Sequence, residues 1–333
     1  MANNDSEILF ERPLPGLLSL VLPLYNEAEM VPLLRESLER FVATLPCPCE
    51  VILVNDGSSD GTLAKLLAWA KQSPMITVLA LSRNFGHQIA ATAGLDHAHG
   101  DAVVLMDADL QDPPEIVHEM LREYCNGFDV VYAQREKRLG EGWFKRFTAW
   151  AFYRTMRFAV DSRLPADTGD FRLISRQCLD GLSAMREQHR FLRGMVAWAG
   201  FPQKAVRFVR PPRAAGETKY PLRKMIVFAW TAAISFSPAP LRLVFAMGLA
   251  VLFAGIGAGI YSLATYFLGL PVVPGWTSIM VTLCLIGSFI LIAIGVTGEY
   301  VAKIYEQSKA RPLYLIDHAR SSDKRSRDQA TPV

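Results

Sequence analysis

From Leu243 to Gly298 the chain carries no charged side chain. Those 56 residues would make a single α-helix about 84 Å long, whereas a bilayer hydrocarbon core is about 30 Å thick. The stretch therefore folds back on itself, and Gly269-Leu270-Pro271 through Pro274-Gly275 supply the break, since neither residue type continues a helix well. A two-helix transmembrane hairpin is expected within 242–302, with passes at about 243–268 and 276–298. Arg223, Lys224 and Arg242 precede the first pass, Lys303, Lys309 and Arg311 follow the second, and the loop between carries no charge. That bias places both ends of the hairpin in the cytosol. The chain reads as a multi-pass protein of an inner or plasma membrane, with a cytosolic domain over 1–224. An apolar segment at 225–241, interrupted by Pro238 and Pro240, is too short to cross and is expected at the interface. A cytosolic tail over 303–333 completes the chain, polar and disordered from Ser321 onward.

The formal net charge of +3 conceals an asymmetry. Residues 1–134 hold 7 Lys/Arg against 19 Asp/Glu, and residues 135–224 hold 20 against 8. A basic block next to membrane segments suits anionic headgroups and lipid phosphates. The acidic first half and the anchor argue against nucleic acid as a partner. Trp143–Val160 interleaves aromatic residues with Lys145, Arg146, Arg154 and Arg157, which fits a helix at headgroup level or one packed on the sheet. The five cysteines show neither a CxxC pair nor metal-ligand spacing, so reduced thiols are expected. No signal peptide opens the chain. Gly255 and Gly259 in the first pass suit close helix approach and self-association into a homo-oligomer.

Short β-branched runs alternate with helical patterns through the first 134 residues. Strands are expected at Leu18–Leu22, Val51–Val54, Ile76–Leu81, Ala102–Met106 and Val130–Ala133, with helices near Ala28–Thr44, Leu63–Gln72, Gln88–His97 and Pro114–Asn126. This is an α/β domain with a mostly parallel sheet, in which ligands bind beyond the carboxyl ends of the strands. Three of those ends read Pro23-Leu24-Tyr25-Asn26-Glu27, Asn55-Asp56-Gly57-Ser58-Ser59-Asp60-Gly61-Thr62 and Asp107-Ala108-Asp109-Leu110-Gln111-Asp112. Carboxylates at i and i+2, followed by a carbonyl-bearing glutamine, suit Mg2+ or Mn2+ bridged to phosphates. One such pair is common on protein surfaces. Three acidic strand ends in this order are specific.

With these ends the chain resembles the inverting glycosyltransferases of family 2, whose nucleotide-sugar-binding domain is of the GT-A type. Ser82-Arg83-Asn84-Phe85-Gly86-His87-Gln88, DADLQDPPE from Asp107, DTGDFR from Asp167, AGETKYPL from Ala215, and Gly298-Glu299-Tyr300 with Arg311-Pro312 after the hairpin resemble the polyprenyl-phosphate branch. Within that branch the chain resembles the undecaprenyl-phosphate glucosyltransferases of the GtrB type. The resemblance covers about residues 17–315. It implies a transfer of hexose, glucose from UDP-glucose, to undecaprenyl or another polyprenyl phosphate. Pro23, Tyr25, Glu27, Asp56, Asp107 and His87 would then hold the nucleotide sugar, with Asp56 on the base. Asp107, Asp109 and Gln111 would surround the metal. Asp109, Asp167, Asp170 and Arg172 would form the catalytic group. His87 stands where many relatives carry lysine. Arg135, Arg138, Arg210, Arg213 and Lys219 would receive the acceptor phosphate.

The related branches imply two other donors, GDP-mannose and a modified sugar such as an aminoarabinose derivative. A processive polysaccharide synthase is disfavoured by the missing QxxRW-type signature and the few membrane helices. A non-catalytic membrane scaffold is disfavoured by the intact Asp-Ala-Asp triplet.

Overall fold

The computed structural model describes residues 9–135, 168–208, 239–268 and 275–322. The described residues divide into two compact units, one holding a sheet with residues 312–322 and the other holding two long helices.

The five expected strands are present as β1 (Leu18–Leu24), β2 (Cys49–Asn55), β3 (Ile76–Ala80), β4 (Ala102–Leu105) and β5 (Val130–Arg135). Two more, β6 (Thr168–Ser175) and β7 (Gln203–Phe208), extend the sheet. The order is β3-β2-β1-β4-β6-β5-β7. β6 runs antiparallel to β4 and β5, and every other pairing is parallel. The mostly parallel α/β sheet matches the expected class.

Alternation along β1 builds the two layers, because successive side chains face opposite sides of a strand. Leu18, Leu20, Leu22 and Leu24 pack with α1 (Val31–Val42), α2 (Thr62–Gln72) and α4 (Ile116–Cys125). Val21 faces the other layer with α3 (His87–Asp96), α5 (Arg176–Ala184) and α6 (Leu192–Ala199). The first of these helices, α1, is shorter than expected, with proline in its first turn, where the missing N–H costs nothing. Alanines line the buried face of α3, and a Cβ on Gly94 would lie 2.3 Å from Val21 Cγ1. The helix therefore sits unusually close to the sheet. Cys47, Cys49, Cys125 and Cys178 are free thiols.

The chain after the long helices returns to this unit and lies along edge strand β3. Ser82 N–H donates to the Leu315 carbonyl (2.9 Å), Asp317 N–H to Ala80 (2.8 Å) and Ser322 N–H to Val78 (3.0 Å). Ser321 and Ser322 are thus hydrogen-bonded rather than free, unlike the disorder expected from Ser321 onward. A bare edge strand offers unpaired backbone groups, and these residues take them. Residues 323–333 lie outside the described set.

The second unit holds α7 (Ala239–Phe267) and α8 (Trp276–Ser308). α7 covers the first expected pass and begins at 239, so the last three residues of the expected interfacial segment belong to it. α8 continues ten residues past Gly298 through Glu299, Lys303 and Glu306 and closes at Ser308, just before Ala310 at φ 48°. Large apolar side chains are exposed along both, including Phe245, Phe253, Tyr261 and Leu291. Among the described residues one stretch, Leu285–Ser308, is long and apolar enough to cross a membrane, with mean hydropathy 1.8, and Val244–Gly257 is a shorter apolar one.

Candidate active site

With β6 alone reversed, β1, β2, β4, β5 and β7 end at one edge of the sheet. The connections from β1 and β2 lead outward to β3, and the chain then crosses to β4 on the other side of β1. Such a reversal opens a crevice between β1 and β4. The acidic motifs border it.

On the β1–β2 side the two loops are laced together. Asn26 N–H donates to Ser58 Oγ (3.0 Å), Ser59 N–H to Asn26 Oδ1 (2.9 Å), Glu27 N–H to Thr62 Oγ1 (2.9 Å) and Ala28 N–H to Asp60 Oδ2 (3.1 Å). Asn26 adopts φ 54° to do so, a region asparagine tolerates better than most residues. Pro23 is buried in β1, Glu27 is half-buried and Tyr25 stands 47% exposed. Asp56 is buried. Its two carboxylate oxygens accept Phe85 N–H (2.7 Å) and Gly86 N–H (2.9 Å). It therefore clamps the 82–87 loop, in addition to the base contact expected of it. Gly57, at φ 63°, makes this clamp fit: a Cβ there would lie 2.3 Å from the Arg83 carbonyl carbon.

On the β4–β6 side, Leu105 pairs with Arg172, and the same antiparallel register continued past β4 sets Asp170 opposite Asp107. The turn after Asp107 is tight. Leu110 adopts φ 55°, strained for a branched side chain, while Gln111 N–H donates to Asp109 Oδ1 (3.1 Å) and Asp107 N–H to Asp112 Oδ2 (3.3 Å). Gln111 is 7% exposed, so it is the most enclosed member of the expected metal group.

His87 at the start of α3 joins the two acidic segments, with Nε2 3.5 Å from Asp107 Oδ1 and 3.4 Å from Asp170 Oδ2. Asp170 also accepts from Arg193 Nε (2.7 Å) and Gln88 Nε2 (2.9 Å). Burial pushes the Asp170 carboxyl up, but the bonds from His87 and Arg193 and the charges of Arg193 and Arg172 outweigh it and hold the group well below the usual range. For His87, burial works downward while Asp170 and Asp107 raise the ring, and the net shift is upward. The imidazole is 43% exposed, so solvent damps this hold. Asp107 moves up, through burial first and then through the like charges of Asp170 and Asp109 against the pull of His87. Arg172 is buried and donates to the carbonyls of Asp170 (3.3 Å) and Gly169 (3.0 Å). Burial lowers it to about 10, which leaves it charged at neutral pH. It orders the strand that presents Asp170.

The structure thus gathers Asp107, Asp109, His87, Asp170 and Arg172 at one edge, with Tyr25, Glu27 and Asp56 on the adjoining loops. Asp167, Arg138, Arg210, Arg213 and Lys219 lie outside the described residues. Arg135 closes β5, and its parallel partner is Phe208, the last residue of β7. Arg135 therefore ends its strand at the carboxylate edge, as Phe208 does. Two contributors carried no expected role. Gln88 also accepts Leu192 N–H (3.0 Å), tying α6 to the site. Arg193 is the one charged residue in helix Leu192–Ala199, and that isolation was its only signal.

Among the described residues no group of three or more His, Cys, Asp or Glu could hold a metal ion alone. Asp107 and Asp109 nevertheless offer hard oxygen donors of the kind that bind Mg2+ or Mn2+ through one or two carboxylates, with phosphates completing the shell. The residues fit a metal shared with a diphosphate.

The Glycosyl transferase family 2 model matches residues 19–182, which span β1 through most of α5. Relatives match far more of the chain. The uncharacterized glycosyltransferase YkcC of Bacillus subtilis is 42% identical over 301 residues, covering 90% of this chain and 92% of that protein. The bactoprenol glucosyl transferase of Shigella phage SfV is 37% identical over 300 residues, 90% of this chain and 97% of its own. A prophage bactoprenol glucosyl transferase homolog of Escherichia coli K12 is 35% identical over 299 residues, 90% and 98% respectively. Identity of 35–42% over 90% of the chain, including a sheet edge that carries the family's acidic motifs, makes the chain a member of glycosyltransferase family 2. Within the family it belongs with the branch of the bactoprenol glucosyl transferases.

Proposed function

We propose that this glycosyltransferase moves a hexose, glucose from UDP-glucose, onto undecaprenyl or another polyprenyl phosphate at the cytosolic face of a membrane, with inversion. The observation that carries the proposal is the Asp107–His87–Asp170 cluster at the β1–β4 crevice, in a chain collinear with bactoprenol glucosyl transferases.

An acceptor phosphate oxygen attacks the anomeric carbon, the bond from that carbon to the nucleoside diphosphate breaks, and the diphosphate leaves with the electron pair. A phosphate monoester is already ionised at neutral pH, so the attack needs no strong base. Asp170 is accordingly no general base. Arg193, Gln88 and His87 surround it, and a carboxylate so stabilised is a poor proton acceptor. It orients the sugar, and His87 stands between Asp170 and Asp107 on the diphosphate side. Mg2+ or Mn2+, held by Asp107 and Asp109 with Gln111 beside them, would neutralise the diphosphate. Tyr25, Glu27 and Asp56 with the buried Pro23 frame the nucleoside. Arg135, Arg138, Arg210, Arg213 and Lys219 bring in the lipid phosphate, and Asp167 borders the sugar. Two helical passes, α7 and α8, hold the chain in the bilayer beside its acceptor.

Incubation with a panel of nucleotide sugars and undecaprenyl phosphate, followed by mass measurement of the lipid, tests this reading. A mass gain of one hexose with UDP-glucose is expected. A gain only with GDP-mannose or an aminoarabinose donor would reassign the donor, and no gain with any would overturn the proposal.

A further inference from the structure

The C-terminal segment lies outside the family match at 19–182, and the reaction as derived gives it no part. It is nonetheless fastened at several points. Its carbonyl at Leu315 accepts Ser82 N–H (2.9 Å), Leu81 and Ile316 form an antiparallel bridge, and Asp317 N–H donates to Ala80 (2.8 Å). Ser321 Oγ accepts Ala80 N–H (3.0 Å) and Ser322 Oγ accepts Val78 N–H (2.7 Å). The Tyr314 hydroxyl donates to Asp96 Oδ2 (2.9 Å), an oxygen that also accepts from Arg186 (2.6 Å). Tyr314 and Ile316 pack against the core layer that contains α3.

Two ties converge on one loop. Ser82 is held by Leu315, and Phe85 and Gly86 are held by the Asp56 carboxylate. Only Arg83 and Asn84 lie between these anchors, and His87 follows directly. At the other end of α3, Asp96 is held by Tyr314. The strap thus grips both the loop that enters α3 and the helix's last residue, while His87 reaches Asp107 and Asp170 from the first.

We infer that residues 314–322 form a positioning strap for the sugar-nucleotide site, holding the 82–87 loop and α3 so that Asp56 and His87 keep their places. This rests on the donor-site reading proposed for the β1–β4 crevice. Because the strap begins six residues past the end of α8, an intact chain past the last helix is required for full donor affinity.

The test compares wild type with Tyr314→Phe and with Ser321→Ala/Ser322→Ala, each in the full-length chain. Three quantities are read: hydrogen exchange over 82–87 without ligand, the separate KM values for UDP-glucose and undecaprenyl phosphate, and the melting midpoint. Losing one or two hydrogen bonds should speed exchange at Phe85 and Gly86 and raise the donor KM by about 2- to 10-fold, with kcat and acceptor KM unchanged. Exchange and donor KM at wild-type values would overturn the inference. So would donor KM, acceptor KM and kcat worsening together in step with the melting midpoint, the mark of general destabilisation. Should wild type use no nucleotide sugar, the donor-site reading fails by itself, and exchange over 82–87 still decides whether the strap holds the loop.

Discussion

The two acidic sides of the sheet edge differ in what their carboxylates touch. On the β2 side, Asp56 is buried and both its oxygens accept amides of its own chain. On the β4 side, the Asp107 side chain is 33% exposed and stands among Asp109, His87 and Asp170. One carboxylate is spent on holding a loop. The other gathers charge at a crevice, a costly arrangement unless a ligand or cation shares it. Aspartates that look alike at successive strand ends therefore divide the labour of building the site and doing its chemistry.

The largest effect should come from the chemical side. Asp109→Asn should lower transfer about 100-fold or more, since a metal clamp on a leaving diphosphate contributes several kcal/mol, while the melting midpoint stays put. Assaying lipid product and thermal unfolding on one preparation checks both halves of the statement. Next, Lys219→Ala should weaken use of the lipid phosphate by roughly 10- to 150-fold, the worth of a charge-assisted contact, with UDP-glucose binding unchanged by calorimetry. A matching fall in donor affinity would move Lys219 to the nucleotide side.

The holding side should respond in stability. Asp56→Asn loses one of two carboxylate acceptors for the Phe85 and Gly86 amides and should cost about 1.5–3 kcal/mol. For a domain of about 150–250 residues such a loss lowers the melting midpoint by roughly 3–12 °C, and a fall of that order is expected here. The smallest effect expected is that of Arg193→Lys, which keeps the charge but loses the directional Nε bond to Asp170. A kcat decrease of less than about 10-fold, with donor KM near wild type, is anticipated. A loss as large as that of Asp109→Asn would show that Arg193 touches the substrate itself.

The sequence exposed one side of this comparison far better than the other. β1 through β4 are short, largely apolar runs buried on both faces, and such runs mark parallel strands without long-range information. β6 and β7 escaped notice for local reasons. Thr168–Ser175 places Asp170 and Arg172 inside a buried strand, which breaks the apolar pattern. Gln203–Phe208 is a short edge strand with Lys204 and Arg207. The strand-end motif pointed to Asp107 and Asp109, whose carboxylates suit phosphate and metal chemistry wherever the chain puts them, whereas Asp170 and His87 entered through the family resemblance. The fold brings Asp107, His87 and Asp170 together. The motifs did not disclose that Asp56 clamps a loop, since its partners are backbone amides about 30 residues along, which have no residue-type signature. Arg193 and the 314–322 strap were hidden likewise, their roles depending on contacts made only by the folded chain.

The most direct test of the division of labour measures lipid product and melting midpoint together for Asp56→Asn and Asp109→Asn, with UDP-glucose, undecaprenyl phosphate and Mn2+ or Mg2+ supplied. The account predicts that Asp109→Asn melts like wild type and forms almost no hexosyl lipid, whereas Asp56→Asn melts lower and still forms it, with a raised KM for UDP-glucose. Hexosyl lipid from Asp109→Asn at the wild-type rate would contradict the account.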